Sequence, residues 1–191
     1  MEMSLVVAGF GGQGVLFAGR LLAYAGMNSG YNVTWIPSYG PEMRGGTAHC
    51  VVIISDEPIG SPLTSRPDIA LVLNQPSYDK YEPLVRPGGL LVVNRSLVTA
   101  TSARKDIETV SIPANLYAEA FDAPKSLNMA LVGAFLARRP ILSLAAVEEA
   151  LEGHGSAESQ HLSEINRQVL RRGYYAARPV TKDVAALEPT L

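Results

Sequence analysis

Short apolar runs alternate along the chain with segments that contain glycine, proline or charged residues. The runs are rich in β-branched and small residues and end at a glycine, proline, serine or asparagine, which is the pattern of buried strands. This alternation predicts strands over 4–9, 31–36, 47–55, 68–74, 90–94 and 107–113.

The segments between the strands carry a helical period. From Gln13 to Met27, apolar side chains occupy most of the circumference and Arg20 is the only charge, so we expect this helix to be covered on more than one side. Further helices are predicted over 77–81, 114–121, 127–138, 143–152 and 159–176.

The order of these elements predicts the fold class. The first strand, helix and second strand form a βαβ unit, and the link over 37–46 is too short for a crossover helix, so the third strand should run antiparallel. We expect an α/β fold: a three-layer α/β/α sandwich with a Rossmann-like, mostly parallel but mixed sheet and a helical C-terminal part. A single domain is predicted over 1–178, followed by a tail over 179–191.

A glycine-rich turn, GFGGQG, follows the first strand. Gly9, Gly11 and Gly14 have the G-x-G-x-x-G spacing, in which glycines permit a tight turn and let a phosphate approach the start of a helix. Gly11, Gly12, Gln13 and Gly14 are therefore candidate binding residues.

The second half of a dinucleotide fingerprint is missing. An acidic residue should end the second strand and bind the ribose hydroxyls, but this strand ends in WIPSYG and the next acidic residue is Glu42. NAD binding is therefore disfavoured. The favoured interpretation is that the glycines permit close packing and that the turn faces a partner.

The loop SYGPEMRGG after the second strand is the other candidate segment. Loops at the carboxyl ends of strands line the binding crevice of such sheets, so this loop should lie beside the glycine turn. Arg44 could pair with a phosphate or carboxylate, and the two following glycines permit close approach. Solvated loop charges are the alternative. The candidates here are Tyr39, Glu42, Arg44, Gly45 and Gly46.

Composition narrows the function classes. With 47% apolar and 18% charged residues among 191, the chain can form a core and retains a weakly charged surface, as subunits of assemblies often do. The net charge of −2 gives no general attraction to nucleic acid. The single cysteine, Cys50, fits a reducing cytoplasm. No long uninterrupted apolar run exists, so no membrane span is expected.

The sequence lacks several common catalytic motifs. It has no H-E-x-x-H, G-x-S-x-G or P-loop pattern, and without C-x-x-C it cannot ligate an iron–sulfur cluster by itself. His49 and Cys50 are neighbours on a strand and should point to opposite faces, which opposes a Cys–His pair. Asn128 is expected to cap a helix or to face the crevice. The arginine pairs at 138–139 and 171–172 are interpreted as solvated helix-end charges.

Two motifs together resemble a known family. GFGGQGV (9–15) followed by PSYGPEMRGGTAHCVV (37–52), with likeness continuing through RPGGLLVVN and KSLNMALVGAF, is similar to the gamma subunit of the 2-oxoacid:ferredoxin (acceptor) oxidoreductases. The likeness covers roughly the first 140 residues. Members act on pyruvate, 2-oxoglutarate or ketoisovalerate-type 2-oxoacids. The sequence does not distinguish among these substrates, and 2-oxoglutarate is the working expectation here.

The resemblance implies that different subunits of a complex bind the different cofactors. Such complexes use thiamine diphosphate, magnesium, [4Fe–4S] clusters and coenzyme A (CoA) to form acyl-CoA, CO2 and reduced ferredoxin. Thiamine diphosphate lies between the alpha and beta subunits, and the clusters lie in beta and delta parts. The gamma part packs against alpha and helps to close the CoA region, so this chain should not be catalytic alone.

By the same resemblance, both candidate loops would lie near CoA, and backbone N–H groups with Arg44 could meet part of its charge. Two alternatives remain at this point. One is an independent Rossmann-type oxidoreductase that uses a nucleotide, and the other is a purely structural subunit without ligand contact.

Overall fold

In a computed structural model of the chain, the described residues are 1–39, 46–152 and 157–179. The predicted tail falls almost wholly outside them. Six strands, six α-helices and two 3-10 turns (Glu82–Leu84 and Pro124–Ser126) form these parts of the chain. The strands are β1 (Glu2–Phe10), β2 (Asn32–Tyr39), β3 (Thr47–Ser55), β4 (Ile69–Val72), β5 (Leu90–Asn94) and β6 (Glu108–Ile112). The helices are α1 (Val15–Asn28), α2 (Gln75–Tyr81), α3 (Ala114–Glu119), α4 (Leu127–Arg138), α5 (Leu144–Leu151) and α6 (Ala157–Ala177).

The six strands form one mixed sheet in the order β2-β3-β1-β4-β5-β6. The pairs β1–β4, β4–β5 and β5–β6 are parallel, whereas β3 runs antiparallel to both of its neighbours. This confirms the predicted α/β class and the direction of the third strand. It also places β3 between β1 and β2, so the two strands of the βαβ unit do not pair with each other.

Local side chains explain where several elements differ from the predicted bounds. Strand β4 begins at Ile69, one residue later than predicted, and the carboxylate of the preceding Asp68 accepts hydrogen bonds from the Ser4 backbone N–H and hydroxyl, at 2.7 and 2.6 Å. Helix α2 begins early because Asn74 caps it, accepting from the Ser77 N–H at 3.0 Å. Strand β2 continues past Pro37, which an edge strand tolerates.

The sheet is covered unequally on its two faces. Leu5 and Val7 of β1 point into a large core shared with α1, α3, α4, α5 and α6, whereas Val6 and Ala8 point into a smaller cluster that includes residues of α2. None of the described helices is long and apolar enough to cross a membrane.

Helix α4 is apolar all round because it is enclosed by its neighbours. It crosses α6 at two glycines: a Cβ on Gly133 would lie 2.0 Å from the Leu170 carbonyl oxygen, and one on Gly173 would lie 2.0 Å from the Ala130 oxygen. Every residue from 127 to 136 is buried. The start of α4 is therefore held rigidly at the carboxyl edge of the parallel strands.

The predicted solvation of the helix-end arginines is wrong for Arg138 and Arg139, which are half-buried, whereas Arg171 and Arg172 are exposed as predicted. Arg138 and Arg139 at the end of α4 both pair with Glu108 of β6, and Arg171 of α6 pairs with Glu148 of α5. These ion pairs join elements distant in sequence, which is why no local pattern indicated them.

Candidate functional site

The glycine turn between β1 and α1 requires glycine at two of its positions. Gly12 and Gly14 have φ of +99° and +73°, in the left-handed region that side chains disfavour. Gly14 is also the N-cap of α1, and no side chain caps that helix end. The first N–H groups of α1 consequently have no partner within the helix.

The second candidate loop ends beside this turn. The Gly11 N–H donates to the Gly46 carbonyl at 2.9 Å. Strand β3 brings the two segments together because Phe10 pairs with Thr47, and Ala48 pairs in turn with Tyr39. Of the other predicted residues in this loop, Glu42, Arg44 and Gly45 lie outside the described residues, and Tyr39 is described only by its place at the end of β2.

Gln13 fastens the turn to the α2 side of the sheet. Its Oε1 accepts hydrogen bonds from the Phe10 N–H at 2.7 Å and from Asn74 Nδ2 at 3.0 Å. A Cβ on Gly9 would lie 2.7 Å from the same oxygen. The amide oxygen of Gln13 is therefore engaged within the fold, and its sequence neighbour Gly9 leaves room for it.

Asn128 fastens the turn from the opposite face. This buried residue of α4 donates from Nδ2 to the Gly14 carbonyl at 2.8 Å, while its Oδ1 accepts from the Met129 N–H at 3.1 Å. The sequence left two roles open for Asn128, and the structure places it at the crevice, bound to the glycine turn.

A cavity of about 580 Å³ opens between the turn, the start of α4 and α6. Its wall is mainly apolar, and the polar side chains are few. The apolar lining residues are Phe10, Val15, Leu16, Phe17, Ala48 and Leu162, the turn contributes Gly11, Gly12 and Gly14, and the polar ones are Lys125, Ser126, Asn128 and Asn166.

Four lining residues, Lys125, Ser126, Leu162 and Asn166, were not predicted from the sequence. These residues follow the turn by more than a hundred positions, and only the packing of α4 and α6 brings them to it. The segment KSLN before an apolar helix was the available signal, since a serine there resembles an N-cap.

His49 and Cys50 lie on opposite faces of β3, as predicted. The ring of His49 is 5.9 Å from that of Tyr81, and burial together with nearby Lys80 lowers the pKa of His49. The thiol of Cys50 faces α1, donates to the Val15 carbonyl at 3.5 Å, and has its pKa raised by burial to about 11. The two side chains cannot act as a nucleophile and base.

The described residues thus define an α/β domain with a mixed sheet, in which a glycine turn is fastened from both faces and opens onto a mostly apolar cavity. The model of the pyruvate ferredoxin/flavodoxin oxidoreductase family matches residues 4–176. The chain therefore belongs to this family, and the resemblance drawn from its two glycine motifs is confirmed.

Relatives of two kinds match the chain. Ketoisovalerate oxidoreductase subunit VorA of Methanothermobacter marburgensis is 40% identical over 139 residues, which are 71% of this chain and 28% of VorA. 2-Oxoglutarate synthase subunit KorC of Methanocaldococcus jannaschii is 32% identical over 181 residues, which are 93% of this chain and 95% of KorC. The chain thus spans little more than a quarter of VorA and nearly all of KorC.

Solved structures share the fold. The gamma subunit of a keto/oxoacid ferredoxin oxidoreductase from Geobacter sulfurreducens PCA superposes with a TM-score of 0.80 at 28% identity, covering 93% of this chain and 97% of that one. A 2-oxoglutarate:ferredoxin oxidoreductase from Magnetococcus marinus gives 0.84 at 22% identity, and this chain covers 32% of it. The second likeness concerns the fold alone.

Proposed function

We propose that the chain is the gamma subunit of a multi-subunit 2-oxoacid:ferredoxin (acceptor) oxidoreductase that converts a 2-oxoacid and CoA to acyl-CoA, CO2 and reduced ferredoxin. The observation that carries the proposal is the nearly end-to-end match to KorC and to a gamma subunit of known structure. We place the complex in the cytoplasm, in keeping with the single buried cysteine.

The residues of this chain do not fit the redox cofactors of such a complex. A [4Fe–4S] cluster held by cysteines needs four thiolates, whereas the chain has one cysteine whose thiol is buried and faces α1. Among residues 1–39, 46–152 and 157–179, no three acidic, histidine or cysteine side chains group as metal ligands would. Alpha, beta and delta subunits would therefore supply thiamine diphosphate, magnesium and the clusters.

An exposed apolar stripe on α1 supports packing against one of these subunits. Phe17, Tyr24 and Met27 follow helical spacing and are 38%, 54% and 58% exposed, with Arg20 between them. In VorA the matching segment makes up only 28% of the polypeptide. We assign the stripe to the subunit that corresponds to the remainder of VorA.

CoA fits the glycine turn better than a dinucleotide does. β3 occupies the place beside β1 where a ribose-binding second strand would pair, and CoA needs no acidic ribose clamp. The uncapped start of α1 suits a phosphate group. CoA supplies the thiol that accepts the acyl group; this chain's residues would bind and orient it.

A substitution of Arg44 tests whether the second loop contributes to CoA binding. If its guanidinium contacts a CoA phosphate, Arg44→Ala should raise the KM for CoA in the assembled complex about tenfold, with kcat nearly unchanged. An apparent CoA affinity equal to that of the wild type would remove Arg44 from the site.

We favour 2-oxoglutarate as substrate because the KorC relative matches over almost the whole of both chains, although the ketoisovalerate relative is more identical over its shorter span. Purification from the native host, with identification of the accompanying chains and assays of 2-oxoglutarate, ketoisovalerate and pyruvate with CoA and a dye acceptor, tests both the assembly and the substrate. Co-purification of no further chain would contradict the proposal.

Each of the two alternative functions predicts a different experimental result. An independent nucleotide-dependent oxidoreductase would show thermal stabilisation of the isolated chain by NAD, NADP or FAD rather than by CoA. With a purely structural subunit, substitutions in the two loops would alter assembly and leave the KM for CoA unchanged.

A further inference from the structure

The outward face of α1 lacks the polar character of an ordinary surface helix. Apart from the terminal Asn28, its exposed positions are Phe17, Arg20, Tyr24 and Met27, and three of these four side chains are large and apolar. A helix at a protein surface normally carries charged and polar residues on the face turned away from the core. A contiguous apolar face of this kind indicates that a further element covers it.

Two glycines on the inner face fix the rotation of α1 about its axis. A Cβ on Gly19 would lie 2.3 Å from Cys50 Sγ, and one on Gly26 would lie 2.9 Å from Val33 Cγ2. The absence of a side chain at both positions lets α1 lie close to β3 and β2. Turning α1 to bury the stripe would bring larger side chains against the sheet, so the stripe stays outward within this chain.

The spacing within the stripe is that of a seam between two helices. Phe17 and Tyr24 are seven residues apart, and so are Arg20 and Met27, which gives steps of three, four and three residues. A seam this narrow fits a second helix that crosses at about 20°, whereas the inner face of α1, which packs on the sheet, is wider. The stripe rises about 15 Å along α1, or about three helical turns.

Arg20 lies in the middle of the stripe and has no ion pair or hydrogen bond with any described residue. Helix α1 contains no acidic residue that could pair with it. A partner that covers Phe17 and Tyr24 also removes the Arg20 guanidinium from water, which is unfavourable unless the partner provides an opposite charge. A carboxylate suits this position best, because its two oxygens match the paired N–H groups of the guanidinium.

We infer that α1 binds a helix of the partner subunit, which lies along the stripe and presents an aspartate or glutamate to Arg20. On either side of that carboxylate, the partner helix presents apolar side chains to Phe17, Tyr24 and Met27. The identity of the partner as the alpha-type subunit rests on the proposed function. The inference adds the kind of element and the charge that this surface recognises.

Photo-crosslinking in the assembled complex tests whether the partner element is a helix. The photoreactive residue p-benzoylphenylalanine is placed at position 17 in one variant and at position 27 in another, and mass spectrometry locates the partner residue that each captures. These positions lie about 15 Å apart along α1, which corresponds to about ten residues of a helix but only about five of a strand. We expect captured residues about ten apart, with an aspartate or glutamate between them. A separation of about five, or a segment without an acidic residue, overturns the inference.

Substitutions of Arg20 test the charge of the partner. Arg20→Gln should lower the amount of partner subunit that co-purifies at least tenfold, because it leaves a buried carboxylate unpaired, and Arg20→Glu should lower it further. Arg20→Lys keeps the charge without the paired N–H groups and should fall between the wild type and Arg20→Gln. Arg66→Gln, an exposed arginine outside the stripe without an ion pair in the described residues, is the matched control and should assemble normally.

Two further measurements separate the pairing from effects on folding. Because Arg20 is exposed and unpaired within the described fold, Arg20→Gln and Arg20→Glu should leave the melting temperature of the free chain unchanged. An arginine in place of the carboxylate found by crosslinking should raise co-purification with Arg20→Glu at least tenfold. A lowered melting temperature, full assembly of Arg20→Glu, or failure of this charge exchange overturns the pairing.

A second copy of this chain is the other occupant that the stripe could bind. In an antiparallel pair of α1 helices, Arg20 of one copy would lie against Tyr24 of the other, and Phe17 against Met27. A dimer of the free chain in sedimentation, with crosslinks from position 17 to the segment around Met27 of the second copy, would overturn the inference in favour of that pair.

The inference and the proposed function fail in different ways. If the complex oxidises a 2-oxoacid but the crosslinks identify no helix, or the Arg20 variants assemble like the wild type, the inference fails and the proposed function stands. If a helix with the expected carboxylate is found on a co-purifying subunit and the complex oxidises no 2-oxoacid, the proposed function fails and the inference stands.

Discussion

Gly14 is a residue at which backbone conformation and surroundings both exclude a side chain. Its φ of +73° lies in the left-handed region, and a Cβ would fall 2.4 Å from Asn128 Nδ2. That nitrogen is held in place by its hydrogen bond to the Gly14 carbonyl. Asn128 therefore fills the space that the glycine leaves, and the two residues fix the start of α1 together.

Gly14→Ala should accordingly lower the free energy of unfolding more than an alanine substitution at another glycine with left-handed backbone conformation does. Gly30 has φ of +86° and open space around its Cβ position, so Gly30→Ala should lose only the conformational penalty, roughly 1–2 kcal/mol. Gly14→Ala adds the displacement of Asn128 and should lose about 3 kcal/mol in urea unfolding. The double variant Gly14→Ala/Asn128→Ala should recover part of that loss; equal costs at Gly14 and Gly30 would contradict the argument.

The sequence revealed the backbone of the site better than its side chains. Glycine spacing after an apolar run is a local signal, and it led directly to Gly11, Gly12 and Gly14. Ser126 and Asn166 carry no such signal, because they reach the cavity only through the packing of α4 and α6. Local sequence patterns therefore predicted the side of the cavity formed by the glycine turn, and did not predict the side formed by α4 and α6.

Glu108 joins the last strand to the end of α4. Its carboxylate binds Arg138 and also accepts from Arg139 Nη1 at 2.6 Å. Burial alone would raise the pKa of Glu108, but the hydrogen bonds from Arg139 and Arg138 outweigh it and hold the pKa below its ordinary value. This three-residue cluster anchors α4 at the end opposite the cavity.

The lowered pKa gives the cluster a predictable pH dependence. Its stabilisation is complete above the unfolded glutamate pKa of about 4.3 and disappears as the pH falls through the lower folded value. Glu108→Gln should therefore lose about 1–2 kcal/mol near pH 7, a value between those of exposed and buried pairs, and the difference from wild type should shrink below about pH 4. Urea unfolding near pH 7 and below about pH 4 measures this difference in the free energy of unfolding.

Glu119 provides the comparison for that experiment. It is exposed and has no ion pair within the described residues, so Glu119→Gln should leave the free energy of unfolding unchanged at either pH. A deficit of Glu108→Gln that persists undiminished in acid would mean that packing, rather than charge, holds β6 to α4.

The sequence predicted the bounds of the strands better than it predicted which strands pair with one another. The apolar runs gave β3 and β5 their observed bounds, and the short second link gave β3 its direction. The insertion of β3 between β1 and β2 has no local sequence signal, because it depends on which edge of β1 remains free once β4 has paired. That insertion moves β2 away from the glycine turn and brings Gly46 to it.

The uneven covering of the sheet has a consequence for the molecule as a whole. Five of the described helices, α1 and α3 to α6, cover one face, yet α1 retains an exposed apolar stripe, and Phe17 at one end of it also lines the cavity with Leu162. The low proportion of charged residues in the sequence anticipated such a surface but not its position. A subunit seated on the stripe would lie at the mouth of the cavity and exclude water from it.

Tyr24→Asp and Met27→Asp should therefore disrupt assembly without unfolding the chain. Both side chains are exposed, so each variant should keep its free energy of unfolding to within about 0.5 kcal/mol. Burying a carboxylate in an apolar interface is unfavourable, so the amount of alpha-type subunit that co-purifies should fall at least tenfold. Leu116→Asp, on α3 at an equally exposed apolar position, should assemble normally. If it fails alongside the α1 variants, or if those assemble fully, the partner binds elsewhere and the cavity is not closed from this side.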